Sequence, residues 1–330
     1  MLTYYKPITT TEGFTLSIDK AVIDYKLDGP LALDALVKFL DMLPIRMAVE
    51  VKNWSSFRWA TFRENFTVTF QDRNSFWVGA GLNNVKTEHT RARLEFNPNK
   101  CIRHVAFLAV LAFLNDHTRP MHTAIKRFDL AVDIPVEREN AKLLKDGRVY
   151  SERRHGKEWT EYLGPKASAV GRCKLYNKQV EANLLFPLTR LEVTIDPTTP
   201  FDALPWPKAY YITRRQIGVE ELSFSNTERY ILSALLTGYG STRDLCRKTR
   251  EKMDTIMSHY VQSITITPRD YVKILFVLGS FLQYPRYDLE LDHVDPDQPP
   301  RSHPMLADWV QEADGESGGD CQNLFEEELL

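Results

Sequence analysis

Cysteine is scarce: Cys101, Cys173, Cys246 and Cys321 are the four among 330 residues, with no CxxC and no paired histidine spacing. Such scatter argues against a disulfide framework or a zinc finger and suits ordinary intracellular thiols. Long apolar runs are missing too. The longest, residues 104–114 (HVAFLAVLAFL), is too short to span a bilayer. No basic start followed by an apolar run opens the chain, so neither secretion nor a membrane partner is expected. The expected compartment is the cytoplasm.

What is present is an ordinary globular composition, 43% hydrophobic and 26% charged, long enough for one large core or two smaller ones. The net charge of -2 hides an asymmetry. From Asp288 onward thirteen acidic residues stand against one arginine, which puts -12 on this tail and leaves +10 on residues 1–287. A basic body suits a polyanionic partner such as nucleic acid, although modest positive charge is also common without one. The tail, with its prolines and GESGGD, reads as disordered, with a helix at 305–312.

In chain order the pattern is strand, helix, several strands and helix. Residues 14–27 alternate as one long strand, and 30–43 begin with proline and carry leucines at helical spacing. Strands follow at 66–71, 75–81 and 91–99, the first two joined by a turn at 72–74, and then a buried helix at 102–115. After a strand at 126–134 come a helix at 138–144, a hairpin of 148–154 with 159–164 around His155 and Gly156, a strand at 171–178, a helical turn at 179–185 and a strand at 189–195. This order predicts an α+β fold, an antiparallel sheet with helices packed on one face. RLEFNP (93–98) echoes RLEVTIDP (190–197), as two halves built on similar units would. Residues 1–197 are expected as one domain, 198–210 as a linker, 211–287 as a small C-terminal helical domain and 288–330 as the tail.

Three segments carry the chemistry: KRFDLAVDI (126–134), GRCKLYNK (171–178) and TRLEVTI (189–195). Alternation places Arg127, Asp129 and Asp133, then Arg172, Lys174 and Tyr176, then Arg190, Glu192 and Thr194 on one sheet face, with apolar residues beneath. Clustered carboxylates at Asp129, Asp133 and Glu192 would repel unless a cation lay among them, and oxygen ligands favour magnesium or manganese. A ladder of salt bridges to Arg127 or Arg190 would account for them equally. His122 stands close enough in sequence to be considered with them. Tyr176, beside Arg172, Lys174 and Lys178, suits attack on a phosphodiester, because cations stabilise a phenolate and an approaching phosphate. It also suits a plain strand tyrosine, and Tyr162 is its rival for the same role.

The ordered series KRFDLAVD, WTEYLGPKAS, KLYNKQVE and RLEVTI, over about residues 91–195, resembles plasmid rolling-circle replication initiators of the Rep_trans type. Filamentous-phage initiators and some conjugative-transposon relaxases show a related pattern. The resemblance implies a DNA-nicking domain over 1–197. In it Tyr176 would attack one strand at an origin, hold the 5' phosphate as a phosphotyrosine and free a 3' hydroxyl, with Lys178 beside it. Asp129 and Glu192, with Asp133, would be ligands of Mg2+ or Mn2+. Arg153, Arg154, Trp159, Lys166, Ser168, Arg172, Lys174 and Arg190 would contact DNA, Lys166 and Ser168 standing in GPKAS where relatives have a GSRKS-like stretch. The histidine-hydrophobic-histidine strand of the wider superfamily is absent from this chain. Origin DNA, as a hairpin or single-stranded nick site with adjacent duplex, a host helicase and a second copy of the chain are the implied partners, in a bacterial cytoplasm. Basic residues from Arg243 to Lys252, or the hairpin at Arg153 and Arg154, would read the duplex. A relaxase acting on a transfer origin and a non-catalytic DNA-binding regulator are the alternatives.

Overall fold

The computed structural model describes residues 7–10, 13–54, 61–82, 90–156, 158–165, 169–212, 225–236 and 240–283. Lys166, Ser168, Cys321 and the acidic tail lie outside the described residues. The first half of the chain runs β1 (Ile8–Thr9), β2 (Thr15–Leu27), α1 (Pro30–Arg46), β3 (Val49–Asn53), β4 (Phe62–Phe70), β5 (Ser75–Leu82), β6 (Arg91–Phe96), the single turn α2 (Pro98–Cys101) and α3 (Val105–Asp116). The second runs β7 (Thr118–Ile134), β8 (Ala141–Leu143), β9 (Tyr150–His155), β10 (Glu158–Leu163), β11 (Cys173–Asn177), the single turn α4 (Lys178–Glu181) and β12 (Thr189–Ile195). Beyond it lie β13 (Ala209–Ile212), α5 (Asn226–Leu236), α6 (Arg247–Tyr260), β14 (Val261–Ser263) and α7 (Pro268–Gln283).

Among the described residues eleven strands form one antiparallel sheet in the order β3-β4-β5-β6-β2-β7-β12-β11-β10-β9, with β1 beside the start of β2. The order reads alike from either end. A four-strand meander, β3 to β6 or β9 to β12, is closed by a long strand, β2 or β7, and the halves join where β2 pairs with β7. The RLEF and RLEV echo is therefore one of position: β6 and β12 each flank a central strand.

Period-two alternation sends Leu16, Ile18, Ile23, Leu94, Phe96, Phe128, Leu130 and Val132 to one sheet face, all at most 3% exposed. Helices α1, α3 and α7 cover that face. Phe96 meets Phe107 of α3 and Phe281 of α7, with ring centroids 4.7 and 5.2 Å apart. Each such buried side chain stabilises the fold by about 1.5–3 kcal/mol, so this seam is the main cohesive element. Local chemistry sets the entries. Gly29, at φ +105°, takes a conformation L side chains avoid, so that Pro30 can open α1. Asp72 accepts from the amide of Asn74 (3.0 Å) and closes the β4–β5 turn.

Three expectations change. Residues 138–144 are not a helix: a 3-10 turn at Arg138–Asn140 leads into β8, which pairs with β13. The cause is Arg138, whose guanidinium is buried and bonded to Glu161 (2.5 Å) and to the Ala141 carbonyl (2.9 Å). Residues 198–210 are packed rather than loose, with Phe201 and Trp206 against Tyr271. Finally, 211–287 divides. α7 belongs to the sheet's own core through Ile274, Leu278 and Phe281, whereas Leu232, Met253 and Ile256 of α5 and α6 gather with Leu144 in a smaller cluster.

Candidate functional site

The opposite sheet face is polar. Strand register sets Lys174 against Glu192, Tyr176 against Arg190, Arg190 against Asp133 and Thr194 against Asp129. Side chains directly opposite one another on one face lie within reach, so β11, β12 and β7 bring most of the expected residues together.

At the centre is Glu192, 2% exposed. Its Oε1 accepts from the Tyr176 hydroxyl at 2.5 Å, and its Oε2 is paired with the Lys174 ammonium. Burial raises the Glu192 carboxyl above its ordinary range, with Lys174 and Tyr176 partly opposing the shift. Tyr176 is itself buried, its ring 5.2 Å from the Lys174 nitrogen and 5.9 Å from that of Lys178. The phenol is pushed far up, first by desolvation and then by the adjacent Glu192 carboxylate. The charge nearest the phenol is therefore the Glu192 carboxylate, with the lysine nitrogens farther off. Lys178 is tied to Glu181 within α4.

Asp129 and Asp133 part company. Asp129 accepts from Thr194 Oγ1 at 2.7 Å and faces the open groove, its carboxyl raised by burial. Asp133 is gripped by Arg190 through two bonds of 2.6 and 2.7 Å, and Arg190 also reaches Asp19 at 2.9 Å. Asp133 is thus paired with a buried guanidinium, and Arg190 lies between the carboxylates of Asp133 and Asp19. No group of three or more His, Cys, Asp or Glu among the described residues is arranged to hold a metal ion. His122 sits seven residues before Asp129 on β7, roughly 20 Å away along the strand.

Asp19 was missing from the sequence reading. It bonds Asn97 (3.2 Å) as well as Arg190, and its charge raises both Asp129 and Glu192. It lies where the β2–β7 register shifts between Ile18 and Lys20, and such bulges re-aim a side chain. The signal available was the likeness of IDKAVID (18–24) to FDLAVDI (128–134).

Beside Glu192 a groove of about 330 Å³ is lined by Asp129, Arg153, Tyr162, Arg172, Lys174 and Glu192. The Tyr162 ring has the Arg172 guanidinium 4.7 Å and that of Arg153 5.7 Å from its centre. Arg154 and Trp159 are elsewhere. In the β9–β10 register Arg153 opposes Thr160 and Arg154 opposes Trp159, so the latter two face away from Tyr176. Trp159 is clasped between Arg138 (4.0 Å) and Arg154 (3.9 Å). Farther off, Arg250 bonds the carbonyls of Thr242, Arg243 and Leu245, and Lys252 pairs with Glu228. Both lie on α6, which Arg250 ties to the preceding turn and Lys252 ties to α5.

The first half carries the same scaffold with other chemistry. Arg93 grips Asp24 (2.5 and 2.8 Å) as Arg190 grips Asp133, and Asn97 bonds Asp19 as Thr194 bonds Asp129. Glu95 stands where Glu192 does. On β5, however, the partners of Glu95 and Arg93 are Trp77 and Gly79, where β11 has Lys174 and Tyr176. One half holds the tyrosine; its counterpart has glycine.

No protein-family model matches the chain, and no curated protein does. Among solved structures it is similar to a rolling circle replication initiator protein from Geobacillus stearothermophilus, at a TM-score of 0.35 and 12% identity over 82% of this chain and 97% of that one.

Proposed function

We propose that this chain is a rolling-circle replication initiator that nicks and rejoins one strand of origin DNA through Tyr176. The observation that carries the reading is the Tyr176 hydroxyl bonded to Glu192, which lines a groove together with Lys174, Arg153 and Arg172. In this reading Arg153, Arg172 and Lys174 bind the backbone of a single strand, an interaction that weakens with salt. Tyr176 Oη attacks phosphorus, an O–P bond forms, and the P–O3' bond breaks. The phenolic proton passes to Glu192, which acts as general base. The departing 3' oxygen takes a proton from Lys174, and the carboxyl–amine pair then returns to its charged form. Because burial and Glu192 keep the phenol protonated at rest, its proton leaves in the course of the attack. Rejoining is the same path reversed.

A divalent cation, Mg2+ or Mn2+, fits this face in a restricted way. Asp129 would hold it together with substrate phosphate, since Asp133 is closed by Arg190 and both Glu192 oxygens are taken by Tyr176 and Lys174, and magnesium is commonly held by one or two carboxylates plus substrate phosphate. When bound it would offset charge developing on the phosphate.

Supercoiled DNA carrying the cognate origin, incubated with the chain and Mg2+ or Mn2+, should be relaxed and leave a covalent adduct that Tyr176→Phe abolishes. A Tyr176→Phe variant that still forms the adduct would sink the assignment. Tyr162 gives a second reading, favoured by its place in the groove lining between two guanidinium groups. Loss of the adduct in Tyr162→Phe alone would establish it. Binding without cleavage under either metal would leave a regulator.

A further inference from the structure

The half without the tyrosine has a groove of its own. It measures about 340 Å³, is lined by Asp19, Lys20, Trp77, Glu95 and Asn97, and shares Asp129 and Lys174 with the groove beside Glu192. The two therefore adjoin at Asp129 and Lys174. Trp77 gives the second groove its character. Its indole is partly exposed and lies back along β5 over Gly79, where an added Cβ would come within 2.5 Å of the ring. Phe62 meets it edge-on, with centroids 5.7 Å apart at 71°. Glycine at 79 and Phe62 together restrict the ring, in a groove whose lining also includes Lys20, paired with Glu95 at 2.5 Å, and Lys174, paired with Glu192.

A partly exposed indole held by packing, in a groove adjoining the one beside Glu192 and carrying two lysines whose glutamate partners a phosphate could replace, matches the demands of an unpaired base and its phosphate. We propose that this groove is a nucleotide subsite in which Trp77 stacks on a base flanking the scissile phosphate. Where one half has Lys174 and Tyr176 the other has Trp77 and Gly79, so that one half would cut the strand and the other hold it. This assignment rests on the single-strand nicking reading above and adds the residue that grips the strand.

The full chain is titrated with a fluorescein-labelled single-stranded oligonucleotide, with anisotropy as readout. Trp77→Leu, which fills the space without a π face, is expected to weaken binding about 10-fold, while Trp77→Phe stays within about 3-fold. Duplex affinity should move in neither variant. In the unaltered chain, oligonucleotides carrying 5-iodouracil at positions next to the nick should photo-crosslink to the peptide containing Trp77, a measurement that needs no variant to fold. Single-strand affinity unchanged in Trp77→Leu, or crosslinks that never map to Trp77, overturns the subsite while leaving Tyr176 nicking intact. An unaltered chain that binds no single strand overturns both readings together.

Discussion

Arg138 offers the sharpest test of how the site is held. It approaches β11 from the face opposite Tyr176, and its guanidinium donates to Glu161 (2.5 Å) and to the carbonyls of Ala141 (2.9 Å), Trp159 (3.3 Å) and Leu175 (3.2 Å). Leu175 lies between Lys174 and Tyr176 in sequence, so this bond fixes the backbone that carries both. Both charged side chains are 0% exposed. In Arg138→Met, Glu161 keeps only the Tyr150 hydroxyl (2.7 Å) as a side-chain donor among the described residues, and three carbonyls, two of them in buried contacts, lose a partner. Removing one member of a buried pair costs about 3–5 kcal/mol, most of it the penalty for the charge left behind. Replacing both members removes that charge, so Arg138→Met with Glu161→Leu should lie within about 1–2 kcal/mol of the unaltered chain. Urea unfolding followed by tryptophan fluorescence reads both values, and the difference between the double variant and the sum of the singles gives the coupling. A loss below about 1 kcal/mol in Arg138→Met would refute the reasoning, as would a double variant no better than the single.

Other outcomes follow from the same geometry. Glu192→Gln should lower nicking by about 10²–10⁴-fold, the range of general-base contributions, with single-strand affinity little changed; gel assays of adduct yield check this. Burial raises Asp129 in the folded chain, so the stability tied to it is present below its unfolded value of about 4 and lost as pH rises through the folded value. Asp129→Asn should therefore stabilise the chain at pH 7, and the gap should narrow toward pH 4; a variant less stable at pH 7 would contradict this. Gly79→Ala should cost about 1–3 kcal/mol in urea unfolding, because Trp77 and Phe62 must both move. Burial holds Cys173 up at about 11 and Cys101 up at about 12, whereas exposed Cys246 is lowered by its bonds to Thr249. Brief alkylation at pH 8 followed by peptide mapping should label Cys246 and spare the other two.

The polar face was legible wherever alternation ran unbroken. Residues 126–134, 173–177 and 189–195 present the sides that period two predicts, because a strand buried on one face leaves its register no freedom. The same rule, applied to the hairpin, would have separated Arg153 from Arg154: adjacent strand residues cannot share a face, and grouping both with Trp159 overlooked this. Asp19 was hidden by the bulge that brings it in, since one extra residue breaks the very pattern being read. The helix expected at 138–144 failed for another reason. An arginine in a polar stretch gives no local sign that it will be buried against a glutamate 23 residues later. Pairing of Asp133 with Arg190 rather than with a metal was open in the sequence, and geometry favours the ladder.

The β2–β7 seam has a consequence for how the chain reaches its fold. Each meander is built from neighbouring hairpins, such as β4–β5 across a four-residue turn, which close quickly. Joining them requires Thr15 to find Asp133 and Asp24 to find Ala124, contacts separated by about a hundred residues and slow to form for that reason. A chain cut between α3 and β7 would leave two fragments, each with a complete meander and one long strand bare along its edge. Mixed together they should reassociate along that edge; kept apart, each should self-associate, because an unpaired strand of this length takes whatever strand it meets.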